Sequence, residues 1–119
     1  MNGGFIIFEP GEKIHVIIRR LFETDLRRHF IGEIVEVSES VVKVKGFVII
    51  MNSVTNQYEL KSDSQIRIVS LVDARNIINV IPREAIIEDT KYVLTHEKRL
   101  VVTDGESFTL DINEFSTTR

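Results

Sequence analysis

The apolar runs of this chain are short and recur at close intervals, and that rhythm limits what it can fold into. The longest unbroken run, Phe47-Val48-Ile49-Ile50-Met51, has five residues, far fewer than the roughly 20 that a membrane-crossing helix needs. Turn-forming or polar clusters punctuate the chain between such runs. Isoleucine and valine supply most of the apolar residues, whereas alanine, the best helix former, occurs only at Ala74 and Ala85. β-branched side chains suit a pleated surface and lose rotamer freedom in a helix. Short β-branched segments between turn signals predict an all-β chain.

The predicted strands cover residues 5–8, 13–21, 26–37, 41–51, 58–64, 65–72, 76–81, 92–95, 100–103 and 107–113. Glu9-Pro10-Gly11 places proline in its favoured turn slot. Asp104-Gly105 predicts a hairpin with a type I′ turn. In the strand after it, Phe108, Leu110 and Ile112 share one face.

Two strands read as changing face part-way. Val42 and Val44 share one parity, whereas Phe47, Ile49 and Met51 beyond Gly46 have the other. Ile66 and Ile68 give way similarly to Val69 and Leu71. Strands that bend or bulge in this way close small sheets into barrels. The alternative is a sheet covered on both faces, one of them by another subunit. Val35, Val37, Ile49, Met51, Ile77 and Ile81 form the surplus apolar set that such a neighbour would cover.

A chain of 119 residues has the size of one domain, and without cysteine it holds neither disulfides nor thiolate metal sites. Residues 1–83 carry 11 basic and 10 acidic side chains; residues 84–119 carry 4 and 8. The first segment is expected to form the barrel and the second an acidic C-terminal β extension packed on it. Neither has the basic excess of a dedicated nucleic-acid binder. The first ten residues have no basic start and only a short apolar run, so a cytoplasmic protein without a membrane span is expected.

Residues 13–82 resemble the Sm-like barrels, whose fold is five strongly bent antiparallel strands in a small open barrel. Phe30-Ile31-Gly32-Glu33-Ile34-Val35-Glu36-Val37 is similar to the family's second strand, and Ser38-Glu39-Ser40 to the tight turn after it. Asp73-Ala74-Arg75-Asn76-Ile77-Ile78-Asn79-Val80-Ile81-Pro82 resembles the closing signature, keeping the arginine and replacing the usual following glycine with Asn76. The resemblance implies a ring-forming homo-oligomer in which the fourth and fifth strands pair between subunits. It also implies RNA as a ligand, held at Glu36, Ser38, Ser40, Arg75 and Asn76. The asparagine usual in the family's RNA-binding turn has no counterpart. A further resemblance, to PilZ domains that bind cyclic dinucleotides, rests on Arg27-Arg28 followed by Glu36-Val37-Ser38-Glu39-Ser40-Val41, with Val41 where that motif has glycine.

Arg19, Arg20, Arg27 and Arg28 stand at the two ends of a predicted hairpin and make a basic patch. It can contact phosphates, meet the acidic extension, or simply solvate an edge. His15, His29 and His96 lack metal-ligand spacing. His15 alternates with the apolar residues of its strand and is expected to face solvent or an interface. No Gly-x-Ser-x-Gly elbow, phosphate loop or dinucleotide fingerprint is present. The expectation is a non-catalytic binding or scaffolding protein without a cofactor, the alternative being a structural interaction module with no nucleic-acid role.

Overall fold

A computed structural model describes residues 7–112. Among them there is no α-helix, and every strand pairing is antiparallel. Strands β1 (Lys13–Ile18), β2 (Arg28–Val37), β3 (Val41–Asn52), β4 (Gln57–Leu60), β5 (Gln65–Ser70) and β6 (Asn76–Ile81) form one sheet. Its order is β6-β1-β2-β3, with β4 on the second half of β3 and β5 on the first half. A 3-10 turn at Ile87–Asp89 leads to a second sheet, β7 (Lys91–Leu94), β8 (Leu100–Thr103) and β9 (Thr109–Asp111). Of the expected strand at residues 5–8, Ile7 and Phe8 lie outside any strand and the rest falls outside the described residues. The expected strand at 107–113 is confined to β9, and Asn113 lies outside the described residues.

The large sheet has two buried faces. One encloses Ile14, Val16, Phe30, Ile34, Val42, Val44, Val48 and Val69, with Ile50 and Leu71 packed against them. The other carries Ile31, Ile49 and Ile81, which pack with Ala85 and Ile87 beneath Tyr92, Phe108 and Leu110 of the C-terminal segment. At roughly 1.5–3 kcal/mol for each large aliphatic side chain removed from water, neither face is dispensable.

This arrangement corrects the parity reading. Val42, Val44, Val48 and Ile50 face the first core throughout β3, and the odd set at Phe47 and Ile49 meets the second core. Two buried faces, rather than one face that switches, explain the pattern. In β5 likewise, Val69 points inward while Ile66 and Ile68 stay exposed. The change of face occurs in β2, where the register slips between Ile34 and Glu36 and Val37 then turns into the first core. A bulge does this because one extra residue reverses the alternation.

The surplus apolar set is therefore largely satisfied within the chain. Ile49 and Ile81 are buried under the C-terminal segment, Val37 joins the first core, and Met51 and Ile77 are half-buried. Val35, at the bulge, remains exposed. Nor does the sheet close into a barrel: β6 and the β4/β5 side remain two separate edges.

Gly32 stands directly opposite Gly46 on neighbouring strands. A Cβ at Gly46 would overlap the Ile31 carbonyl oxygen, and one at Gly32 would lie 2.8 Å from a Val44 methyl. The two backbones approach closely only because neither residue has a side chain. Gly46→Ala is accordingly expected to destabilise the fold by about 3 kcal/mol, read as a lowered urea midpoint. An unchanged midpoint would show that the strands separate there at no cost.

Candidate functional site

His15 on β1 and His29 on β2 occupy the same face of the sheet, because His15 pairs with Ile31 and Ile17 with His29. Their rings meet edge-on, 5.2 Å between centroids. Tyr58 of β4 stacks on His29 at 4.9 Å, and Tyr92 of β7 stacks on Tyr58 at 4.5 Å. The Tyr92 hydroxyl lies 2.8 Å from His15 Nε2 and 2.5 Å from His29 Nδ1. His15 is completely buried and His29 nearly so, contrary to the expectation that His15 faces solvent.

The protons of this cluster follow from counting donors. A tyrosine hydroxyl has one proton, so it donates to one ring and accepts from the other. His15 Nδ1 is buried without a partner. A proton there would leave a sealed N–H unpaired, a cost of roughly 1–3 kcal/mol. Nε2 therefore carries the His15 proton and donates to Tyr92, whose hydroxyl donates to His29 Nδ1. That leaves the His29 proton on Nε2. Burial pushes the His15 imidazole down to about 3, helped by the His29 charge. Burial pushes His29 down to about 4, helped by Arg27. Burial raises the Tyr92 hydroxyl, and Tyr58 adds to the rise.

At the open end of β1 and β2 the chain forms a cavity of about 350 Å³, lined by Arg19, Arg20, Arg27, Arg28, His29 and Tyr58. The expected basic patch thus converges on one concavity. Burial raises the Tyr58 hydroxyl, while Arg27 and Arg20 beside it pull it back, Arg27 by a hydrogen bond. A neighbouring cavity of about 280 Å³ is bordered by Arg19, Arg20, Arg28 and Arg75, with the Asp25 carboxylate among them. The Arg19 N–H donates to the Arg75 carbonyl at 2.8 Å, so Arg75 joins the arginines of the patch.

The other residues expected to hold RNA are engaged locally. Glu36 pairs across the strand with Lys43 at 3.1 Å, and the Ser38 hydroxyl donates to the Val41 carbonyl. The Ser40 carbonyl accepts from Leu71 N–H at 2.7 Å, which holds the turn after β2 against the turn after β5. The Arg75 guanidinium pairs with Asp73 at 3.1 Å, and the Asn76 amide donates to the Ser70 carbonyl. The Arg27-Arg28 pair and Ser38 stand at opposite ends of β2, so the structure does not gather them into one site.

A third feature fixes the C-terminal segment. Asp104 is buried, and its carboxylate accepts from the N–H groups of Ile86, Glu106, Ser107 and Phe108. Burial opposes its charge, but these backbone donors outweigh burial and hold the carboxyl well below the usual range. Asp104 lacks the positive φ of a type I′ turn, and Thr103 pairs with Thr109 around a five-residue loop. The hairpin forms as expected, with a different turn.

The sequence reading missed the His15, His29, Tyr58 and Tyr92 cluster. Its signal was present: His15 and His29 share parity with Ile17, Ile31 and the rest of the second apolar face. Among the described residues no three His, Cys, Asp or Glu side chains gather to hold a metal, and no helix is long and apolar enough to cross a membrane. No family model, curated protein or solved structure matches this chain.

Two outcomes test the cluster. Above pH 6.5 both folded and unfolded histidines are neutral, so the contribution is level. Below it the unfolded chain binds protons that the folded one refuses until about 4 at His29 and about 3 at His15. Stability should therefore fall from pH 6.5 downwards, by up to about 1.4 kcal/mol per pH unit for each ring; a melting temperature that stays flat from pH 7 to 5 would refute the assignment. Tyr92→Phe preserves the stacked ring and strands both histidine nitrogens, costing about 2–3 kcal/mol by urea unfolding. A loss below 0.5 kcal/mol, on the order of an ordinary surface substitution, would mean that the bridging hydroxyl contributes nothing.

Proposed function

We propose that this protein is a non-catalytic, Sm-like assembly module that pairs with copies of itself through the free edges of its large sheet. The observation carrying this reading is the pair of unpaired edges. β6 ends the sheet on one side and β5 on the other, and each carries apolar side chains in water. Ile66 and Ile68 on β5 are each 61% exposed, and Val80 on β6 is 58% exposed. An open edge with apolar neighbours is a template for another strand unless something covers it. Joining β5 of one copy to β6 of the next is a head-to-tail contact, and such contacts close into rings when the rotation allows.

The strand order supports the same reading. β4 and β5 together run antiparallel to β3 as one interrupted fourth strand, and β6 returns beside β1 as the fifth. The bulge in β2 and the close Gly32–Gly46 approach are features that a strongly bent Sm-like sheet would use. RNA at the two turns draws less support, because Arg75 and Asn76 already use their side chains on Asp73 and Ser70.

Light scattering during gel filtration should give a discrete oligomer, and Ile66→Lys with Ile68→Lys should convert it to a folded monomer, with its β circular-dichroism spectrum kept and its melting temperature lowered only by the loss of association. A wild-type monomer at about 50 μM, well above the affinity that a stable interface provides, would overturn the proposal. Titration of the oligomer with single-stranded RNA separates a binding ring from a scaffold: steep loss of affinity with salt marks phosphate contacts.

A further inference from the structure

We infer that the arginine-lined cavity at the β1–β2 end is a binding site for a phosphate-bearing ligand with a planar or apolar body, of which nucleoside phosphates are the representative class. The inference stands apart from self-assembly, since the cavity lies at the strand ends rather than along the β5 or β6 edge.

The distribution of counter-charges carries the argument. Elsewhere the described arginines have partners: Arg75 holds Asp73, Arg83 holds Glu9, Arg99 holds Asp111, and Arg67 lies on Gln65 and the Phe30 ring. At the cavity, Arg20 donates to the Glu23 carbonyl and Arg27 hydrogen-bonds Tyr58, but Arg20, Arg27 and Arg28 form no ion pair with any described residue, and no carboxylate lines the wall. Asp25 lines the adjoining cavity beside Arg19, Arg20, Arg28 and Arg75, with one carboxylate oxygen held by the Leu21 and Phe22 N–H groups of its own loop, and it does not line this one. Guanidinium groups without ion-pair partners, gathered around one concavity, repel one another, and an entering anion relieves that repulsion.

Phosphate is the anion this arrangement suits. Planar guanidinium forks bind phosphate oxygens in pairs, and several forks around one space match a group with several acceptor oxygens. His29 adds a donor to the set. Its Nδ1 is occupied by Tyr92, and its Nε2 carries the remaining proton. Nε2 has no hydrogen-bond partner among the described residues, yet it is not among the sealed orphan atoms, of which His15 Nδ1 alone is found among them. It therefore reaches solvent where His29 lines the cavity.

The rest of the wall speaks for a body attached to the phosphate. Ile17, Ile18 and Tyr58 complete the lining, and about 350 Å³ exceeds what a bare phosphate fills and falls within the range of small-molecule sites. Tyr58 is held in place by its stack on Tyr92 and His29, so this wall is rigid before any ligand arrives.

The test is a titration of the full chain with inorganic phosphate, AMP, ATP and a short single-stranded RNA, followed by calorimetry and thermal shift. AMP or ATP should bind and raise the melting temperature, and more tightly than inorganic phosphate. Arg27→Gln should weaken binding roughly tenfold and Arg20→Gln with Arg27→Gln roughly a hundredfold. Both positions are exposed, and circular dichroism checks that the fold is kept. Arg83→Gln, remote from the cavity, should leave affinity unchanged. Binding of the RNA alone, lost in the Arg20/Arg27 variant, retains the phosphate site and assigns its source to a nucleic-acid chain. The inference is overturned if no probe binds at millimolar concentration, or if Arg83→Gln weakens binding as much as Arg27→Gln.

Discussion

The hydroxyl of Tyr92 has one proton and serves two buried histidines, and the relation between the two layers of this protein depends on it. Tyr92 belongs to the C-terminal sheet, while His15 and His29 belong to the first two strands of the large one. Without the hydroxyl, two imidazole nitrogens would be sealed against an apolar face with nothing to bond. With it, both rings stay neutral, and a polar contact fixes how the C-terminal segment lies on Ile31, Ile49 and Ile81. A directional bond of this kind sets a register that the hydrophobic effect, being non-directional, cannot set.

That docking meets a sheet whose second and third strands approach closely at Gly32 and Gly46, with a first core on one face and a second on the other. Lys13 Nζ on the Ala85 carbonyl and Asp104 on the Ile86 N–H bind the linking segment to both layers. The cavity of arginines sits where the strands holding the two histidines emerge from this cover. The groups that order the core, Tyr58 and His29, thereby also form its inner wall.

Much of the fold was legible because strand signals are local. β6 and β8 were predicted to the residue, and most other strands to within a few positions, since alternation and turn residues suffice for that. The tertiary partners were not legible. The odd-parity set at Phe47 and Ile49 reads equally as a bent strand, a subunit contact or an intramolecular second core, and only the return of residues 84–112 decides among them. Histidine is ambiguous for the same reason: within an apolar strand it reads as solvent-facing until a tyrosine 77 residues away supplies its partner. The basic patch fared better, because a hairpin's two ends must lie together. Its convergence with Arg75 required the closing strand to be in place.

The account turns on whether Tyr92 packs between the layers. The chain has only two tyrosines beside its seven phenylalanines and no tryptophan, so the two tyrosine ring systems can be told apart and assigned. Nuclear Overhauser effects should connect the Tyr92 ring to both Tyr58 and His29, whose centroids lie 4.5 and 5.6 Å away. A Tyr92 ring with random-coil shifts and no such connections would mean that the C-terminal sheet does not cover the second face, and the account would fail.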